Sequence, residues 1–129
     1  MDNLHIELTK STPHIDFQAD KNHLLIEGRS YPENYATFFN PIFNWLDTYL
    51  QQLEDKCIFD MKLVYVNTSS VKALMMIFDK LEDAYLNNKS IRINWHYDKD
   101  NDVAFELGEE FQEDLDIPFN FIKIADDEK

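Results

Sequence analysis

Apolar and polar residues alternate in several segments of the chain, and a period of two is typical of half-buried β-strands. His14–Phe17 and Leu24–Glu27 flank a short polar turn, which predicts an antiparallel hairpin. Gly28 follows, and there we expect the chain to leave the sheet. Further strands are predicted at Ile91–Tyr97 and, after a proline, at Phe119–Ile124.

Other segments repeat their apolar residues at spacings of three and four, which predicts amphipathic helices. The first begins after Ser30 or Asn34, either of which suits an N-cap, and Pro41 predicts a kink or a fresh start within it. The second runs from about Ser69 to Leu86, and the third lies in the acidic stretch between Asp98 and Asp116. The apolar stripe of the second helix is Val71, Leu74, Met75, Phe78, Leu81 and Tyr85.

The strand predicted at Ile58–Val66 runs directly into the second helix through Asn67-Thr68-Ser69-Ser70. Amide and hydroxyl side chains accept hydrogen bonds from the first N–H groups of a helix, so these residue types suit its start. Because strand, helix and strand follow one another, they predict a βαβ unit with parallel strands. The junction then lies at the carboxyl end of a strand, where ligands and chemistry gather in α/β proteins. Lys72 is one turn beyond Thr68 and reaches the same face.

Together these elements predict one α/β domain over residues 1–129. We expect a mixed sheet of about five strands that combines an N-terminal β-hairpin, the βαβ core and a C-terminal strand, all covered by helices. Two domains would each be too small at this length to bury a good core. The ends, residues 1–10 and 125–129, are expected to be loosely ordered.

The charge of the chain favours some partners over others. Acidic residues outnumber basic ones by 25 to 12, for a formal net charge of −13. Such a surface disfavours nucleic acid and anionic membranes and suits a protein partner with a basic patch, although solubility alone also explains it. We find no secretory signal, no stretch of the about 20 apolar residues that cross a bilayer, and a lone Cys57. These features predict a cytoplasmic protein without a disulfide.

Catalysis has little support in the sequence. The four histidines show no metal-ligand spacing, so we expect no metal and no other cofactor. A glycine-rich phosphate loop is absent, and the paired carboxylates Glu109-Glu110 fall on a charged helix face. Cys57 is expected to be a small buried residue. The sequence therefore predicts a protein that is not an enzyme.

The hydroxyl groups of Thr68, Ser69 and Ser70 remain as candidate functional groups. As nucleophiles they lack a base nearby in sequence, but as phosphoacceptors they need none, because a kinase supplies the catalytic groups. A phosphate adds about −1.5 to −2 charge units, which weakens a docking contact made by the bare hydroxyl. Helix capping by itself also explains these residue types.

Blocks of residues spread over nearly the whole chain match one known family in its own order. They are Tyr65–Lys72, Ser11–Pro13, Ile26–Asn34, Trp95–Asp98, Glu109–Phe111 and Pro118–Phe119. Together they resemble the SiaC-type biofilm-regulation phosphoproteins. That family in turn resembles the anti-sigma-factor antagonists, in which a serine at the same kind of strand–helix junction is phosphorylated.

This resemblance implies a function and partners. In the family, a cognate protein kinase phosphorylates the threonine of the Asn-Thr-Ser-Ser block, here Thr68, and a metal-dependent PP2C-type phosphatase removes the phosphate. The unmodified form binds and activates a diguanylate cyclase and promotes biofilm formation. We therefore expect a non-catalytic, partner-switching phosphoprotein of cyclic di-GMP signalling, with a fold like that of the antagonist domains.

The expected site is centred on Thr68 as the phosphorylated residue. The partner-binding residues expected around it are Asn67, Ser69, Ser70 and Lys72. The loop that enters the first helix flanks the same sheet edge, which adds Tyr31, Glu33 and Asn34 to the expected docking surface. Two alternatives stay open: an adaptor that is never modified, and a small hydrolase that uses Thr68 or Ser69.

Overall fold

The computed structural model describes residues 1–124, and within them the chain forms six strands and three helices. The strands are β1 (Leu4–Ile6), β2 (His14–Gln18), β3 (His23–Ser30), β4 (Cys57–Val66), β5 (Ile91–Tyr97) and β6 (Phe119–Lys123). The helices are α1 (Tyr35–Gln52), α2 (Thr68–Leu86) and α3 (Asp102–Glu113). The expectation for residues 125–129 lies outside the described residues. No helix within residues 1–124 is long and apolar enough to cross a membrane.

The strands form one mixed sheet in the order in which they occur along the chain. β1, β2 and β3 pair antiparallel, whereas β3, β4, β5 and β6 pair parallel and are joined through the three helices. This confirms the predicted α/β class and mixed sheet. The additional strand is β1, which pairs with β2 where a loosely ordered end was expected. Its Leu4 and Ile6 pack against the core, and this burial holds the segment in place.

The helices cover one face of the sheet. Alternate residues of β4, from Cys57 to Leu63, are buried in a single core cluster to which all three helices contribute. The residues between them, such as Asp60 and Lys62, lie on the opposite face and are partly exposed. The strand residues on that open face are mostly polar, which explains the alternation seen in the sequence.

Helix α1 is continuous from Tyr35 and contains Pro41 without a fresh start. Its N-cap is Asn34, whose side chain accepts the N–H of Thr37 at 3.1 Å. Ser30, the other predicted cap, instead ends β3 and is buried. Pro41 lies in the second turn on the exposed side, and the carbonyl that it leaves without an N–H donor, that of the exposed Thr37, can be bound by water.

The prediction that the chain leaves the sheet at Gly28 is wrong, because Gly28 lies inside β3. The pairing with β4 shifts there, since Gly28 is opposite Leu63 and Arg29 is opposite Tyr65, which leaves Val64 as the extra residue of a β-bulge. Gly28 has a φ of +126°, a backbone conformation that residues with a side chain rarely adopt, and this favours glycine here.

Candidate regulatory site at the start of helix α2

The bulge sets the direction in which the chain leaves β4. Before it, the odd-numbered residues of β4 face the helices; after it, Val66 packs against the core and Tyr65 is half exposed. Without the one-residue shift, Tyr65 would continue the odd-numbered series that faces the helices, and the bulge turns it outward instead. The carboxyl end of β4 therefore presents apolar side chains beside the start of α2.

Asn67 is the N-cap of α2 and adopts an extended backbone conformation. Its Oδ1 accepts the backbone N–H of Ser70 at 2.9 Å and the hydroxyl of Ser69 at 3.2 Å. Its own N–H donates to the carbonyl of Ser30 at 3.0 Å, which ties the end of β3 to the junction. Asn67 thus holds the first turn in place, in line with the capping chemistry predicted from its residue type.

Thr68 is the first residue of α2 and is exposed. Its hydroxyl has no hydrogen-bond partner among residues 1–124. The helix has no acidic side chain in its first turn, and the free N–H groups there carry partial positive charge. The Thr68 hydroxyl is therefore accessible to another macromolecule, and a negative charge placed there would meet a favourable local field.

Ser70 lies elsewhere than was expected. Its side chain is completely buried, and its Oγ is 2.8 Å from Oγ of Ser30, which is also buried. Ser70 therefore touches no partner at the surface, which corrects its place among the expected contact residues. The reason is helical geometry, since the third residue of α2 turns inward to the sheet while the first turns outward.

Ser69 is partly buried and Lys72 is exposed. Lys72 lies one turn beyond Thr68 on the same side of the helix, as the spacing predicted. Within residues 1–124 its ammonium group forms no salt bridge. Its charge is thus available to a phosphate on Thr68 or to a partner.

The loop after β3 lies beside the junction, where Tyr31 and Tyr65 pack edge to face with ring centroids 5.9 Å apart. The backbone N–H of Tyr31 donates to the carbonyl of Ser11 at 2.7 Å, so the segment before β2 supports this loop. Glu33 is exposed, whereas the side chain of Asn34 is engaged in capping α1. Tyr31 is therefore the member of the expected loop set that the structure brings to the edge of the site.

Exposed apolar side chains lie on both sides of Thr68. Val64 and Tyr65 precede it, and Met75 and Met76 follow it on α2, each between 45% and 51% exposed. The prediction that Met75 belongs to the core stripe is wrong, because Ile77 and its neighbours on the inner face fill that space. Exposed apolar side chains that flank an exposed hydroxyl in this way are candidates for an interaction surface. We name Val64, Tyr65, Thr68, Met75 and Met76 the α2-start surface.

The open face of the sheet carries a polar network that the sequence analysis did not find. The carboxylate of Asp60 in β4 lies 2.6 Å from Nε2 of His23 and 2.7 Å from Nε2 of His96, and it accepts a 3.1 Å hydrogen bond from Asn94. Burial raises the pKa of Asp60, but these hydrogen bonds outweigh it and hold the pKa below the usual 3.8. The network joins β3, β4 and β5, and strand alternation was its only signal in the sequence.

The groups near the junction give no support to catalysis. The side chains hydrogen bonded around Thr68, those of Asn67, Ser69 and Ser70, are an amide and hydroxyls, which do not act as general bases at neutral pH. Cys57 is buried at the start of β4, and burial raises the pKa of its thiol to about 11. No group of three His, Cys, Asp or Glu side chains suited to a metal ion occurs within residues 1–124.

A family model described as "SiaC family regulatory phosphoprotein" matches residues 6–124. The chain belongs to the SiaC family. An uncharacterized protein of Pseudomonas aeruginosa strain UCBPP-PA14 is 40% identical over 119 residues, which cover 92% of this chain and 94% of that protein.

Solved structures of SiaC share the fold. The crystal structure of apo-SiaC from Pseudomonas aeruginosa is 39% identical, with a TM-score of 0.89 over 95% of this chain and 99% of the other. A chain in the crystal structure of the diguanylate cyclase SiaD in complex with its activator SiaC, from the same organism, is 39% identical. That match has a TM-score of 0.90 and covers 94% of this chain and 99% of the other.

Proposed function

We propose that this protein is a non-catalytic cytoplasmic regulator that binds and activates a diguanylate cyclase when Thr68 is unmodified. A protein kinase phosphorylates Thr68 and so reduces cyclase binding, and a PP2C-type phosphatase restores it. The observation that carries the proposal is the exposed, unbonded hydroxyl of Thr68 at the start of α2. The activator role of SiaC of Pseudomonas aeruginosa towards SiaD, in a chain 39% identical to this one, supports the choice of partner.

The physical basis of the switch is local charge. Phosphorylation adds about −1.5 to −2 charge units to a side chain that otherwise offers a small neutral hydroxyl. The α2-start surface around it is largely apolar, and a partner that covers this surface removes water from the phosphate. Removing a phosphate from water costs free energy that a single nearby cation such as Lys72 does not fully repay, so the partner binds the phosphorylated form less tightly.

The first experiment measures modification in cells. Intact-mass analysis of the protein purified from its own organism is expected to show a singly phosphorylated species that is missing in Thr68→Ala. Thr48→Ala, which changes an exposed threonine of α1, is the matched control and should keep the phosphate. A phosphate that persists in Thr68→Ala would place the site at another residue.

The second experiment measures binding. We expect the cyclase to bind unmodified protein and Thr68→Ala with similar affinity, and to bind phosphorylated protein at least about tenfold more weakly, which corresponds to 1.4 kcal/mol. Thr68→Asp is expected to be intermediate, because a carboxylate carries less charge than a phosphate. Equal affinity of the cyclase for the unmodified and phosphorylated forms would mean that phosphorylation does not control binding, and it would favour the adaptor alternative.

The hydrolase alternative is tested with the purified protein alone. We expect no turnover of ester or phosphoester substrates, because the hydroxyls at the junction lack a base. A robust rate that disappears in Thr68→Ala would replace the proposal with an enzymatic function.

A further inference from the structure

Helices α2 and α3 leave a groove of about 210 Å³ between them on the outer side of the helix layer. Phe78 and Phe111 lie in it with ring centroids 4.7 Å apart, and both are buried. Val71, Met75 and Leu115 complete the apolar lining, and Met75 is half exposed. The groove thus offers an apolar recess of a size that suits one large side chain.

Carboxylates also line this groove. Asp79 of α2, Glu110 of α3 and Asp114 at the end of α3 are all exposed. Among residues 1–124, none of these three forms a salt bridge. The positive charges that match them must therefore come from solvent ions or from a partner, in a chain whose formal net charge is already −13.

The groove continues the α2-start surface, since Met75 belongs to both. Thr68 and Met75 are separated by two helical turns, or about 10 Å at 1.5 Å per residue. Along this face the charge changes sign, from Lys72 near Thr68 to Asp79 beyond Met75. A segment that lies along the groove and reaches Thr68 thus meets a cation at one end and carboxylates at the other.

We propose that the groove binds a segment of the diguanylate cyclase with one large apolar side chain, basic residues beside it, and acidic residues that face Lys72. This inference rests on the proposed function, because it names the chemistry of the same partner. Charge complementarity selects the occupant: Asp79, Glu110 and Asp114 bind the basic residues, and the Phe78–Phe111 recess takes the apolar one.

This arrangement explains why phosphorylation would weaken the binding of a partner that carries basic residues. The phosphate appears at the Lys72 end of the groove, where the bound segment is acidic, and not at the carboxylate end. It offsets the charge of Lys72 and repels the facing acidic residues. Thr68 and Lys72 are about 6 Å apart along the helix axis, which is less than the Debye length of about 8 Å, so salt screens the contact between the phosphate and Lys72 incompletely.

The test uses charge reversal on one helix with a matched control. Glu110→Lys with Asp114→Lys changes the groove, whereas Glu109→Lys with Glu113→Lys makes the same change, at the same spacing on exposed positions of α3, outside it. Affinity is measured by calorimetry with the full-length cyclase of the same organism and, as a second probe, with SiaD of Pseudomonas aeruginosa. Thermal unfolding monitors the fold of each variant.

We expect the groove variant to bind the cyclase at least about tenfold more weakly and the control variant to change by less than about threefold. Hydrogen exchange on the unaltered protein supplies a second readout, with protection of residues 71–79 and 110–115 when the cyclase binds. Lys72→Glu should weaken binding too, and it should reduce the further effect of phosphorylation.

Each outcome decides the matter. If the wild-type protein binds the cyclase but the groove variant binds equally well and the groove gains no protection, the inference is overturned and the proposed function stands. If neither cyclase binds the wild-type protein, the groove does not have this occupant and the proposed function fails with it. Equal losses of affinity in the groove and control variants would show that binding depends on long-range charge attraction, and this result would also overturn the inference about the groove.

Discussion

Helices α2 and α3 begin in the same way but carry different chemistry at their first residue. Each follows a parallel strand, and each has an asparagine N-cap, Asn67 or Asn101, whose side chain accepts the N–H of the third helical residue. The first helical residue is Thr68 in α2 and Asp102 in α3. A permanent carboxylate thus occupies in α3 the position that holds a neutral hydroxyl in α2.

The difference indicates how the fold would accommodate a phosphate on Thr68. Negative charge at a helix N-terminus is favourable, and α3 already accommodates it beside the same capping hydrogen bond. A phosphate on Thr68 is therefore expected to leave α2 folded and to act on whatever covers the α2-start surface. Threonine at this position is neutral unless it is phosphorylated, whereas aspartate would carry a negative charge permanently.

The two helix starts are also fixed to the sheet by different groups. In α2, Ser70 meets Ser30 of β3 through a buried pair of hydroxyls. In α3, the side-chain amide of Asn101 donates at 3.0 Å to the carbonyl of Val64, the bulge residue of β4. Both anchors meet at the carboxyl edge of the sheet, and the mutations below test them separately.

The largest loss of stability is expected from the cap of α3. Asn101→Ala removes both the cap and the hydrogen bond to Val64, and we expect it to lower the free energy of unfolding by about 2 kcal/mol. Asn67→Ala, the matched change in α2, should cost about 1 kcal/mol. Urea unfolding measures both, and a larger cost for Asn67→Ala would contradict this view of the anchors.

Ser70→Ala makes the start of α2 resemble that of α3, where the third residue is the buried Ala104. We expect a cost of about 1–2 kcal/mol, because the buried hydroxyl of Ser30 loses its partner. The double variant Ser30→Ala, Ser70→Ala should cost less than the sum of the two single changes. Additive costs in this double-mutant cycle would show that the two hydroxyls do not depend on each other.

Exchange of the first helical residues gives a smaller effect of opposite sign in the two helices. Thr68→Asp should stabilise the protein by about 0.3–1 kcal/mol, and Asp102→Thr should destabilise it by a similar amount. Both shifts in melting temperature should shrink as salt is added. Marked destabilisation by Thr68→Asp would mean that phosphorylation acts on the fold itself.

The smallest effect concerns Asp60, which joins β4 to β5, the strands that lead into the two helices. The folded-state pKa of Asp60 is lowered below its ordinary value of 3.8, so its carboxylate stabilises the fold fully above that value, and this contribution is lost as pH falls through the folded-state pKa. Asp60→Asn should flatten this part of the stability profile below pH 4. An unchanged acid limb in the variant would show that other carboxylates set it.

Local patterns in the sequence determined the order of helices and strands, the parallel core, and the start of α2 within Asn67–Ser70. They could do so because strand alternation, helical spacing and cap chemistry depend on neighbouring residues. Ser30 was a misleading case, since serine suits an N-cap whether or not a strand ends there. The β1 strand was missed because three residues are too few to show a clear period.

Only the tertiary structure decided which side of the junction each hydroxyl faces. The sequence presents Thr68, Ser69 and Ser70 as three similar residues. In the structure, the buried hydroxyl of Ser70 is hydrogen bonded to that of Ser30, 40 positions earlier, whereas Thr68 is exposed. The bulge opposite Gly28 and the groove between α2 and α3 likewise arise where distant segments meet. Their register is set by packing of the whole core, and that information lies in no single stretch of the chain.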